Sequence, residues 1–141
     1  MNTFVKFKWI DPSISVGFGP PADYGASETK LLDFLRQGLN GRGFVVKGPR
    51  LGGVRKIAGW ELQIENDEFP LAVDVNLLQP NNFCLCSIDP HTSSVRRWLK
   101  KIDTTTRVEA LASGLDKVLK ADPRVSLVKW SSFDELNTLD E

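Results

Sequence analysis

Apolar and polar residues alternate in FVKFKWI (4–10): Val5, Phe7 and Trp9 point one way, Lys6 and Lys8 the other. A period of two predicts a half-buried strand. The next stretch, DPSISVGFGPPADYGAS (11–27), has no period and is rich in Gly and Pro, so it reads as a long loop carrying Phe18 and Tyr24. Long ordered loops are often functional. ETKLLDFLRQGLN (28–40) then changes to a helical period. Leu31, Leu35 and Leu39 form the stripe, Leu32 and Phe34 widen it, Ser27 is placed to cap it, and Gly41 and Gly43 end it.

A run of strands follows. FVVK (44–47) leads into a glycine-rich loop, GPRLGGVRKIAG (48–59). WELQIE (60–65) sets Trp60, Leu62 and Ile64 against Glu61, Gln63 and Glu65. FPLAVDVNLL (69–78) sets Phe69, Leu71, Val73, Val75 and Leu77 against Pro70, Ala72, Asp74 and Asn76. In FCLCSI (83–88), Phe83 and Leu85 oppose Cys84, Cys86 and Ile88. Short links, Asn66-Asp67 and Pro80-Asn81, join these strands, and such links favour an antiparallel meander.

Two helical stripes come next: Val95, Trp98, Leu99 and Ile102, then Val108, Leu111, Ala112, Leu115, Val118 and Leu119. Thr106 and Glu109 have the spacing of a capping box, and Pro123 ends the second helix. RVSLVKW (124–130) reads as a last strand. The predicted order is therefore β-α-β-β-β-β-α-α-β. The expected fold is a single α+β domain over residues 1–141, an antiparallel sheet with its helices packed mostly on one face.

Composition narrows the function. Eighteen basic residues balance eighteen acidic ones, which argues against obligate binding to nucleic acid or anionic lipid. No apolar run approaches the ~20 residues a bilayer span needs. The first residues read as a strand and not as a signal peptide, so a cytoplasmic location with reduced cysteines is expected.

The sharpest chemical cluster is NNFCLCSIDPH, which holds Cys84, Cys86, Asp89 and His91. Cys-x-Cys on an extended strand is a poor zinc pair, because structural sites want two or more residues between paired cysteines and four ligands in all. A thiol enzyme would need a thiolate with a base beside it, and His91 is the chain's single imidazole. The favoured reading is that both cysteines fill space in the core, with Asp89-Pro90 starting a turn. No cofactor or metal is expected.

Three further features carry charge. The loop at 48–59 has Arg50, Arg55 and Lys56 but no phosphate-loop motif. Arg96, Arg97, Lys100 and Lys101 lie opposite the apolar stripe of their helix. Glu61, Glu65 and Asp74 share the polar side of the sheet. Each reads first as solvated surface; the second readings are an adaptable protein-binding or phosphate loop at 48–59, a phosphate or acidic-partner site on the basic helix, and acid–base carboxylates or an acidic protein-binding face on the sheet.

The layout resembles the immunity proteins of bacterial polymorphic toxin systems, including those of contact-dependent inhibition. The resemblance lies in ETKLLDFLRQGLNGRGFVVKG leading into GWELQIENDEFPLAVDVNLL, and in the closing helix–strand unit ALASGLDKVLKADPRVSLVKW. It implies a non-catalytic protein that binds one cognate toxin and blocks it. Aromatic and arginine side chains are the usual interface anchors, so Phe18, Tyr24, Arg50, Glu61 and Asp74 are the candidate partner-binding residues. The alternatives are a small enzyme using Cys84 or Cys86 with His91, and a phosphate or nucleic-acid module using the basic loop and helix.

Overall fold

A computed structural model describes residues 2–10, 22–51, 59–66, 69–78, 83–90 and 104–132. Eight elements follow one another: β1 (Phe4–Trp9), α1 (Ala22–Asn40), β2 (Val46–Leu51), β3 (Trp60–Ile64), β4 (Leu71–Leu78), β5 (Phe83–Pro90), α2 (Thr105–Lys120) and β6 (Val125–Ser131). The helix expected at 94–102 lies outside the described residues.

The six strands form one sheet in the order β2-β3-β4-β5-β1-β6, and every pairing is antiparallel. The α+β class is therefore as the alternation predicts. β2 to β5 form the meander that short links impose. The chain's first strand slots between β5 and β6, a long-range placement that no local pattern specifies.

Register decides which side chains share a face. Val5 pairs with Cys86 and Phe7 with Cys84; Val75 and Leu77 pair with the same two cysteines from β4. Val73 pairs with Leu62 and Leu71 with Ile64. This apolar face is covered by Leu31, Leu32, Leu35 and Leu39 of α1 and by Val108, Leu111, Leu115, Val118 and Leu119 of α2, all in one core. Each such side chain contributes roughly 1.5–3 kcal/mol when buried. Trp9 stacks on Phe34 at 5.2 Å between centroids and 24° between planes, fixing β1 to α1. Gly38 lets α1 approach α2, since a Cβ there would run into Val118.

Several local expectations are corrected. α1 starts at Ala22, so Ser27 lies within it and does not cap it, and Tyr24 belongs to a helix and not to a loop. The α1 exit is as expected: Gly43 takes a φ of 92°, and Phe44 N–H donates to Leu39 O at 3.2 Å. β2 runs on through Gly48 and Pro49, which a strand tolerates at the sheet's edge, and its register shifts between Lys47 and Arg50. Asp89 and Pro90 continue β5, pairing with Ala72 and Leu71, where a turn was predicted. α2 begins at Thr105 after Thr104, which has helical angles and makes no side-chain capping bond, so Thr106 and Glu109 form no capping box. No helix among the described residues is long and apolar enough to cross a membrane.

Candidate interaction surface

The cysteines come first because they carried the strongest chemical signal. Both are 0% exposed, on the helix-covered face, with their sulfurs 3.8 Å apart. Burial pushes the Cys84 thiol well above its ordinary pKa; the Cys86 thiol adds to this by hydrogen bond and charge, and the Asn76 backbone opposes it. Such an environment holds a thiol protonated and filling space, not primed as a nucleophile. His91 lies outside the described residues. Among the described residues, no group of three His, Cys, Asp or Glu is placed to hold a metal ion.

Of the predicted contact residues, the fold brings three into one row. Arg50 is the register partner of Glu61, and Glu61 of Asp74; the row continues to Ser87, Phe4 and Ser131. Tyr24 lies near the start of α1, on a helix and not on any strand of this row. Phe18, Arg55, Lys56 and the basic helix 94–102 lie outside the described residues.

The row is not the wet acidic face that alternation alone suggests. Glu61 is 3% exposed, Phe4 8% and Ser131 4%, although all three stand opposite the helix-covered face. Gln63 Nε2 donates to Glu61 Oε1 at 3.4 Å, and Ser87 Oγ donates to Asp74 Oδ2 at 3.5 Å. Glu61 thus offers little of its surface to a partner while the chain is free.

The open part of that face lies over β1 and β6, and it is basic. Lys6 is directly paired with Lys129, and Lys8 follows two residues on. Lys6 and Lys129 are exposed and Lys8 is half-buried. The Lys6 ammonium lies 4.8 Å from the centre of the Phe83 ring, a cation–π contact. None of the three lysines has a carboxylate partner among the described residues.

At the rim of this patch β6 departs from regular strand geometry. Its register with β1 shifts between Lys6 and Lys8, where β6 runs from Lys129 to Ser126 and so carries an extra residue. Leu127 sits in this bulge with a φ of 54°, the one non-glycine residue of positive φ among the described residues, and it is 68% exposed. Sequence reasoning missed it, although a signal was present: Leu127 and Val128 are adjacent apolar residues in an otherwise alternating RVSLVKW. Strict alternation cannot bury both.

On the opposite side, an open groove of about 440 Å³ separates the C-terminal ends of α1 and α2, bordered by Phe34, Gln37, Gly41, Arg42, Val118 and Asp122. Two of its bordering residues, Phe34 and Asp122, are contacted by Arg124. The guanidinium lies 4.8 Å from the Trp9 ring centre and 5.2 Å from that of Phe34, and a two-bonded ion pair with Asp122 (3.0 and 2.9 Å) holds it there.

Comparison with known proteins adds no relative: no family model, no curated protein and no solved structure matches this chain.

Proposed function

We propose that this protein is a non-catalytic binding protein that neutralises a cognate bacterial toxin by covering it. The observation that carries the reading is Leu127. A leucine in the left-handed region is disfavoured by about 1–2 kcal/mol, and strain of this kind concentrates where a surface is shaped for binding. Leu127 also leaves a large apolar side chain in water at the border of a patch of lysines that pair with no carboxylate among the described residues. An apolar centre within a polar rim is the usual layout of a protein–protein interface.

The toxin as partner comes from the layout that resembles immunity proteins, and a bacterial cytoplasm is the compartment that reading requires. The burial of Cys84 and Cys86 supports a binding role over thiol chemistry.

The test is growth rescue. Co-expression with the toxic product of a neighbouring reading frame should restore growth, and the two chains should elute as one stoichiometric complex. Leu127→Asp should lose the rescue while keeping the fold. Wild-type protein that neither rescues growth nor binds the toxic product overturns the reading.

A further inference from the structure

We infer that the rim formed by Lys6, Lys8 and Lys129, with Leu127 at its border, docks an acidic protein surface: carboxylates grouped around an apolar pocket. The inference rests on the binding role proposed above and names the chemistry of the partner.

Lys6 and Lys129 are direct cross-strand partners. Opposed residues on antiparallel strands hold their Cβ atoms about 4.5–5.5 Å apart, where like charges destabilise the sheet. The neighbours of Lys6 and Lys8 in the register are Leu85 and Phe83, and beyond Leu85 stands Asn76. No carboxylate lies in those rows. The Lys6 ammonium instead rests against the Phe83 ring. Among the described residues the fold thus brings three cations together and sets no carboxylate beside them.

Charge pattern distinguishes the two anionic partners that could supply it. A nucleic-acid strand carries a charge about every 3.4 Å and cannot stop after three lysines. Extended along the sheet, it would meet Asp74, roughly 12 Å from Lys6, and Asp89, roughly 14 Å away, by strand spacing and rise. Those carboxylates, and the zero net charge of the chain, oppose a continuous polyanion. A protein surface can be acidic over the lysines and neutral or basic beyond them. It can also supply an apolar pocket for Leu127, which a phosphodiester backbone lacks.

The full chain should be titrated with three probes, followed by backbone amide NMR: poly-L-glutamate, a peptide alternating glutamate with leucine, and an oligothymidylate of matched length. Poly-L-glutamate should shift amides around Lys6, Lys8 and Lys129, and added salt should weaken it. The glutamate–leucine peptide should bind more tightly and also shift Leu127, and Leu127→Asn should remove that gain alone. K6E/K129E should weaken both peptides by roughly tenfold or more. K6Q/K129Q, which removes the repulsion and adds no new charge, should fold at least as stably as wild type and bind as weakly as the reversal.

Shifts elsewhere, or equal binding by K6E/K129E, overturn the site. Tighter binding of oligothymidylate than of either peptide at the same residues overturns the acidic-protein assignment in favour of phosphate. If the rim binds the peptides but the chain fails to rescue growth, the toxin reading falls and the surface assignment stands.

Discussion

Gly38 of α1 lies directly against Val118 of α2: a Cβ added at Gly38 would collide with Val118 Cγ1 and come within 3.3 Å of the Val118 Cβ. Gly38→Ala therefore tests two opposed effects. Alanine favours the helix by about 1 kcal/mol over glycine, whereas overpacking typically loses 1–3 kcal/mol. The valine is stiff and the helices are fixed by a shared core, so overlap wins and the variant should be less stable by about 1–2 kcal/mol. At Gly114 of α2 the obstacle is Phe44 Cε2, 2.6 Å away, the far edge of a half-buried ring. That ring can swing, so Gly114→Ala should lose less than Gly38→Ala. Urea unfolding of both variants, with unchanged m-values, gives the comparison.

Arg124 links three elements through the Trp9 and Phe34 rings and the Asp122 carboxylate. Its backbone carbonyl also accepts from Ile10 N–H at 2.9 Å. Arg124→Ala should lower stability by about 1–2 kcal/mol, the loss of a part-buried charge-assisted pair and its ring contacts. Arg124→Lys should recover little of this, because an ammonium cannot stack on two rings and fork to a carboxylate together. Trp9 fluorescence should report the lost stacking in the folded state of both variants, alongside the shift in unfolding midpoint.

How far the sequence foretold this arrangement depends on the range of the physics. Alternation in 60–65 and 69–78 specifies faces, because a strand's side chains alternate whatever its neighbours are, and short links specify the meander. Helix stripes were legible for the same reason; Leu31, Leu35 and Leu39 needed only a period. Non-local pairing was not legible. Nothing in FVKFKWI says that Lys6 will face Lys129, so the basic rim emerges only from the pairing of β1 with β6. Cap assignment failed where competition was close: Ser27 and Thr106 both have capping chemistry, but each helix starts upstream of them. The buried state of Glu61 was equally hidden, since alternation tells which side a residue faces and not what covers that side.

The cysteine pair predicts a pH effect with a definite sign. Cys84 has its pKa raised in the fold, first by burial and then by Cys86. In the unfolded chain it ionises near the usual thiol value of about 8.5. Below that value both states keep the proton, and the stability is fully present. Above it the unfolded chain releases the proton while the folded chain holds it, so stability falls as pH rises toward the folded pKa. Urea midpoints should decline from pH about 8.5 upward, with a shallower decline in Cys84→Ala. In native conditions at neutral pH, neither thiol should react with a mild disulfide reagent, and both should react once the chain is unfolded. A rapidly reacting native thiol would contradict the burial and reopen thiol chemistry.

Leu127 makes stability and binding move in opposite directions. Asparagine adopts the left-handed region far more readily than leucine, because its short polar side chain can bond locally. Leu127 is 68% exposed, so replacing it forfeits little buried area. Leu127→Asn should therefore be as stable as wild type or more stable, by about 0.5–1 kcal/mol. Leu127→Val, which keeps an apolar surface but puts a β-branched residue at a φ of 54°, should be less stable by about 1 kcal/mol or more. Both variants should lose partner affinity, the first by removing the anchor and the second by shortening and displacing it. Denaturant midpoints and affinity for the glutamate–leucine peptide, measured on the same preparations, separate the two effects. A stabilised Leu127→Asn that binds as tightly as wild type would mean that the bulge only blunts the β6 edge, as bulges on outer strands often do. The combination expected here, more stable and weaker binding, is what a strained residue kept for recognition produces.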